Sequence, residues 1–284
     1  MTARSARATR RRIINAVFVA ACGAAALVAL IVLAAILWSL VARGLGGLTP
    51  ALFVRDTPGP GEPGGLRNAI LGSLMLCGLG MALALVVGIL AGTWLAEYGG
   101  RTPLGHGVRL LNDVLLSAPS ILIGLFVYEA LVAHVVGRFS ALAGAVALAI
   151  IALPVVTRTT EDMLALQPAA LREAGMALGA TRALVTRRIV WRSALAGLVT
   201  AALLAFARIS GETAPLLFTS LGNQFLSFSP SQPIASLPTV IFQFALSGYD
   251  DWRQLAWTGA LLIAAAVLAI SVAGRLVTRG ARRP

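Results

Sequence analysis

Residues 172–192 read REAGMALGATRALVTRRIVWR. Five arginines (Arg172, Arg182, Arg187, Arg188 and Arg192) share this stretch with one acid, Glu173, while the chain around it is mostly Ala, Leu, Val and Ile. No proline interrupts 169–192, and Ala, Leu and Arg favour helix. The stretch therefore reads as one amphipathic helix, or as two short helices broken at Gly179-Ala180-Thr181, where glycine permits a turn. On a helical wheel Leu171, Ala174, Leu178 and Val185 fall near one face, and Arg182, Thr186 and Arg192 elsewhere. Spacing alone leaves two readings open: a helix held on anionic headgroups by its arginines, or a docking element for a soluble partner.

The surroundings decide where such a helix lies. Hydrophobic residues make up 58% of the chain and charged residues 12%, with a mean hydropathy of +0.87; soluble domains carry about 25% charge. A spanning helix needs about 20 mainly apolar residues, and six such runs lie near 13–41, 69–96, 114–136, 139–157, 194–219 and 255–274. The second is glycine-rich, which predicts a tilt or bend. The fourth is short, with Pro154 near its end.

All 23 basic residues are Arg. With the N-terminus inside, seventeen fall in inside segments: Arg4, Arg7 and Arg10–Arg12; Arg101 and Arg109; Arg158 and the five of 172–192; Arg275, Arg279, Arg282 and Arg283. Five fall outside (Arg43, Arg55, Arg67, Arg138 and Arg253), and Arg208 alone lies within a span. This bias places both termini, and 172–192, in the cytoplasm. Trp38, Trp94, Trp191, Trp252 and Trp257 lie near span ends, as interfacial rings do. The expected organisation is a cytoplasmic basic tail 1–12, a first transmembrane helix 13–41, a periplasmic loop 42–68 and a five-helix core 69–274 that includes a cytoplasmic loop 158–193, then a basic tail 275–284. TRRRII (9–14) and VAAC (19–22) resemble export signals, but the apolar run continues to Val41, so an uncleaved helix is expected.

Several chemistries are excluded. Without Lys there is no Walker A loop, so any ATP hydrolysis belongs to a partner and the chain is expected not to be an enzyme. No basic domain with interleaved aromatics suggests nucleic acid. Cys22 and Cys77 lie in apolar runs, and His106 and His134 sit alone. No metal cluster, cofactor site or nucleophile–base set is expected.

Glu173-Ala174-Gly175, then Gly179 and, ten residues on, Ile189, resemble the EAA loop of ABC importer permeases. In that family the loop forms coupling helices seated in a cleft of the ATPase, so the resemblance makes Glu173, Ala174, Gly175, Gly179 and Ile189 the coupling positions. Gly175 stands where a second Ala is usual, and Trp191-Arg192 where Leu-Pro is common. NDVLLSAPSILIGLFVYE (112–129), RTTEDML (158–164), ARISGETAPLLFTSLGNQF (207–225) and QPIASLPTVIFQFA (232–245) resemble the PstA-type permeases of bacterial phosphate-specific ABC importers. The resemblance implies an all-α membrane protein with six transmembrane helices in the type I ABC importer (MetI-like) permease fold. It also implies a homologous second permease (PstC-type), an ATPase dimer (PstB-type), a phosphate-binding protein (PstS-type), inorganic phosphate as substrate and a place in the bacterial inner membrane. The alternatives are another oxyanion, or a secondary anion transporter, which would not need the docking loop and would usually show inverted repeats.

Charges inside the spans carry the pathway reading. Arg208 lies roughly 21 Å from the inner end of the fifth span, and Glu212, four residues on, is expected on the same helical face. A charge at that depth costs at least about 2.5–3.5 kcal/mol. The pair is either a packing ion pair or a cation offered to a translocating oxyanion with an acid limiting its hold. Gly211 and Pro215 loosen the helix there. Arg158 and Glu161, at the inner end of the fourth span, either meet an exiting anion, orient the loop or anchor the span. Asn112 and Asp113 are expected to cap the third helix, and Glu129 is left without an assigned partner.

Overall fold

A computed structural model describes residues 2–100 and 102–280, with side chains for 10–100 and 102–276. The side chains of Arg4, Arg7, Arg101, Arg279, Arg282 and Arg283, and the end of the basic tail, lie outside the described residues. No strand occurs among those described.

Among the described residues four helices are long and apolar enough to span a membrane: α1 (Thr2–Gly44), α3 (Arg67–Glu97), α6 (Ala141–Ala165) and α13 (Asp250–Gly280). A short α2 (Pro50–Val54) precedes α3. Two further spans come as bent pairs, which brings the possible total to six. The first joins α4 (Pro103–Ser117) to α5 (Ser120–Val127) and its wider-wound continuation Tyr128–Val136, at 105°. The second joins Arg182–Ser193 to α10 (Leu195–Ile209) at 72°.

These bends correct the expected span ends. Residues 114–117 are the last turn of α4, not the start of the third span. Pro119 forces Ala118 to extended backbone (ψ 133°) and stops the helix. Asn112 caps nothing: it is buried in α4 and donates Nδ2–H to the Pro154 carbonyl at 3.2 Å. The N-terminus of α4 is capped by Thr102, whose Oγ1 accepts from Gly105 N–H at 3.0 Å. The fourth helix runs on to Ala165 despite Pro154, so 158–165 is helix rather than loop.

The centre of the bundle is α3 against α6. Gly80, Ala84, Gly88 and Gly92 recur every fourth residue, hence along one face of α3. A Cβ on Gly80 would lie 3.1 Å from Ala145 O, one on Gly88 2.8 Å from Val156 Cβ, and one on Gly92 2.5 Å from Thr157 O. The glycines of the second span thus serve close helix approach, the usual use of small residues where lipid competes equally for apolar surface. Leu76, Leu148, Ile151, Val156, Ala205, Ile209 and Leu216 fill the core among α3, α6, α10 and α11 (Ala214–Thr219). After α11 the chain passes through 220–236 into α12 (Leu237–Ala245), begun by a Ser236–Thr239 capping box, which packs on α13.

Candidate coupling surface and substrate pathway

The stretch 172–192 folds as a hairpin of short helices, α7 (Ala169–Ala177) and α8 (Arg182–Val185), the latter continued by Thr186–Val190 and α9 (Trp191–Ser193). Gly179 ends α7 in the left-handed conformation (φ 80°), a glycine preference at helix C-termini. Its N–H donates to Met176 O at 2.9 Å. The chain turns back so closely that a Cβ on Gly175 would lie 2.8 Å from Val185 Cγ2 and 3.0 Å from Ile189 Cδ1. Gly175 therefore permits the contact between the two arms.

The hairpin separates the apolar face expected of a single helix. Val185 is buried, whereas Leu178 is 88% exposed and Ala174 is exposed. The reversal at Gly179 is the reason, because a helical wheel does not continue through it. Ile189 packs inward with Leu164, Val185, Val190 and Ala194. Glu173, Ala174, Met176, Ala177, Leu178 and Gly179 stay exposed as a ridge, and among the described residues no ion pair involves Glu173.

The base of this hairpin is tied to the end of α3. Arg172 Nη2 lies 2.6 Å from Glu97 Oε1, and its Nε donates to both carboxylate oxygens at 3.0 and 3.1 Å. The same guanidinium donates at 2.8 Å to Leu164 O and to Gln167 O. Arg182 donates to the Glu97 carbonyl and stacks 4.7 Å from the centre of the Tyr98 ring. Trp191 Nε1–H donates to Thr93 Oγ1 at 3.1 Å. Sequence reasoning missed Glu97, Tyr98 and Thr93. A signal existed: Glu97 is an acid at the C-terminus of a helix, where the macrodipole disfavours negative charge, ahead of an arginine-rich loop.

The charges of the spans are placed differently from one another. Arg208, one residue before the end of α10, is exposed, and among the described residues it has no ion-pair or hydrogen-bond partner. Glu212 does not share its helical face: α10 stops at Ile209, and α11 begins at Ala214. In a continuous helix the Pro215 ring would clash with the Gly211 carbonyl, so the chain breaks between them. Ser210 Oγ–H bonds back to Phe206 O at 2.6 Å. Arg158, on α6, is exposed beside Asp162 at 3.7 Å. Glu161 instead pairs with Arg109 of α4 at 2.7 Å. Glu129 lies 3.6 Å from His134 in the exposed stretch after α5.

At the opposite end of α3, buried Asn68 donates Nδ2–H to Asn223 O at 2.8 Å and to Gln224 O at 3.0 Å, pinning the 220–236 segment. Asp56 pairs with Arg67 at 2.9 Å and accepts from Leu226 N–H at 3.2 Å. The Arg67 side chain holds the Asp56 carboxyl below its ordinary value; burial opposes this and the Leu226 amide adds to it.

Residues 84–283 match the family described as binding-protein-dependent transport system inner membrane component. The phosphate transport system permease protein PstA of Xylella fastidiosa (strain Temecula1) is 51% identical over 266 residues, covering 94% of this chain and 93% of that one. The protein of the same description from Pasteurella multocida (strain Pm70) is 53% identical over 241 residues, covering 85% and 86%. Among solved structures, a chain of the inward-facing MetNI methionine ABC transporter superposes with a TM-score of 0.64 at 22% identity, covering 76% of this chain and 95% of that one.

Proposed function

The chain belongs to the family of binding-protein-dependent transport system inner membrane components, within it to the PstA phosphate permeases, and from this membership we infer that it is the permease subunit of a phosphate ABC importer. It is a multi-pass inner-membrane protein, a permease rather than an enzyme, and works with an ATPase and a substrate-binding protein.

A homologous PstC-type permease completes the pathway, a PstB-type dimer hydrolyses ATP below, and a PstS-type protein delivers phosphate above. Both termini face the cytoplasm, which the seventeen arginines of the inside segments support. The hairpin within 158–193, formed by α7 to α9, docks into the ATPase through Glu173, Ala174 and Gly179, with Gly175 and Ile189 holding its two arms together. ATP closes the dimer, the hairpin moves, and the spans exchange inward-open for outward-open because the partner binds the two states unequally.

Arg208 carries the pathway reading. An exposed guanidinium on a spanning helix is costly against lipid, so the face that bears it adjoins water or the second permease. There it offers a fixed cation to a translocating oxyanion, while Glu212, in the break beyond it, limits how tightly that anion is held. Arg158, about 10 Å from the inner end of α6, meets the anion on its way out.

Phosphate uptake into proteoliposomes tests this, using this chain with its permease and ATPase partners, binding protein outside and ATP on the ATPase side. Uptake should require ATP and every partner, Glu173→Arg should abolish it with membrane insertion normal, and Arg208→Ala should abolish flux with the complex assembled. Failure of Arg208→Ala to assemble would make Arg208 a packing residue. Uptake by this chain alone on an ion gradient would overturn the importer reading. No uptake by an intact complex would direct attention to another oxyanion.

A further inference from the structure

We propose that Glu97 is a positioning residue that locks the coupling hairpin to the cytoplasmic end of α3, so that displacement of the hairpin is delivered to the α3–α6 pair instead of being absorbed by its own hinges. The inference rests on the docking role of the hairpin given above.

The covalent connections of the hairpin are poor transmitters. On one side the chain turns at Gln167-Pro168 between α6 and α7. On the other it bends by 72° between Arg182–Ser193 and α10. Both are points where backbone rotation can take up a push.

The side chains supply a second route. The Glu97 side chain is only 2% exposed and sits at the carbonyl end of α3, where a lone carboxylate would be strongly disfavoured. It needs Arg172, which comes from the docking arm α7. Arg172 also holds Leu164 O of α6, so one guanidinium joins α3, α6 and α7. Arg182, from the second arm, grips the Glu97 carbonyl and the Tyr98 ring. Trp191 adds a bond one turn further into α3, at Thr93. Next to Thr93, Gly92 leaves no room against α6: a Cβ there would lie 2.5 Å from Thr157 O and 2.7 Å from Thr160 Cβ. A push on the ridge therefore meets no loose joint between the hairpin and the tightest helix pair of the bundle.

The test uses the full complex in proteoliposomes, with spin labels at exposed Leu90 of α3 and exposed Ala183 of α8, away from the docking ridge. In the unaltered protein the label separation should be one narrow distribution, the same without nucleotide and in an ATP-trapped state. In Glu97→Gln it should broaden and become nucleotide-dependent, while ATPase turnover persists and phosphate uptake per ATP falls about tenfold. Glu97→Asp, which keeps the charge, should recover part of the coupling. A narrow, nucleotide-independent separation with normal uptake per ATP in Glu97→Gln would overturn the proposal. So would a parallel loss of complex yield, ATPase and uptake in both variants, which would make Glu97 a folding contact. The label distances need no phosphate, so a complex that hydrolyses ATP without moving phosphate would remove the substrate reading alone.

Discussion

α1 and α6 are both apolar spanning helices, yet none of the apolar window of α1 is buried within the chain, and 67% of that of α6 is. Hydropathy sends both across the bilayer and cannot tell them apart. In lipid there is no hydrophobic gain in burying Leu against Leu, so helix association follows packing and polar contacts. α6 offers Ala143, Gly144, Ala145, Ala147 and Ala152 on buried faces and meets the glycine face of α3. α1 keeps Phe18, Leu30, Ile31 and Trp38 exposed. Among the described residues α13 holds it near its C-terminal end: Thr258 Oγ1–H donates to Gly44 O at 3.0 Å, Gln254 Nε2–H donates to Arg43 O at 2.7 Å, and the Arg43 guanidinium lies 5.0 Å from the Trp257 ring. The pair thus contrasts a rigid transmitting block with an edge left free for lipid or a neighbour.

The sharpest way to break this contrast is at the foot of the block. Arg172→Ala leaves the Glu97 carboxylate buried without its cation and should cost about 3–5 kcal/mol, seen as a large fall in melting temperature of the purified complex. An unchanged melting curve would show that the hairpin is not held through this pair.

Next come the two glycine environments. Gly92→Leu pushes side-chain atoms into Thr157 and Thr160 and should cost about 1–3 kcal/mol or more. Gly23→Leu on α1, with nothing within 4 Å of its added Cβ, should stay within about 0.5 kcal/mol. Thermal unfolding of both variants decides it. Equal losses would mean that α1 is as closely packed in the complex as α6.

A smaller effect is expected at Trp191→Phe, which deletes the bond to Thr93 and should cost about 1 kcal/mol, with faster hydrogen exchange at the C-terminal end of α3 as the local readout. The smallest lies at the other end of α3. The Asp56 carboxyl is depressed below its ordinary 3.8, so its contribution is present above that value and is lost as pH falls through the folded-state pKa. The melting temperature should drop over that acid limb, and Asp56→Asn should remove that part of the drop. An identical acid limb in Asp56→Asn would assign it to other carboxylates.

Much of this protein follows from one-dimensional pattern. The apolar runs announced the spans, the arginine distribution their expected direction, and Glu173, Gly179 and the 207–225 stretch the permease family. These are properties of segments against solvent or lipid, and each can be evaluated without knowing what the segment touches. Tertiary structure decided the rest. Proline breaks the helix at Pro119 and ahead of Pro215 yet is carried inside α6 at Pro154; which outcome a proline gives depends on what the freed backbone packs against, so the spacing of Arg208 and Glu212 misled once the helix between them was broken. Ile189 reads as one more position of the motif until Gly175, on the first arm, lets the second arm bring it into contact. Glu97 was a lone acid in the sequence, because its partner lies 75 residues away and only folding brings the two charges within bonding distance.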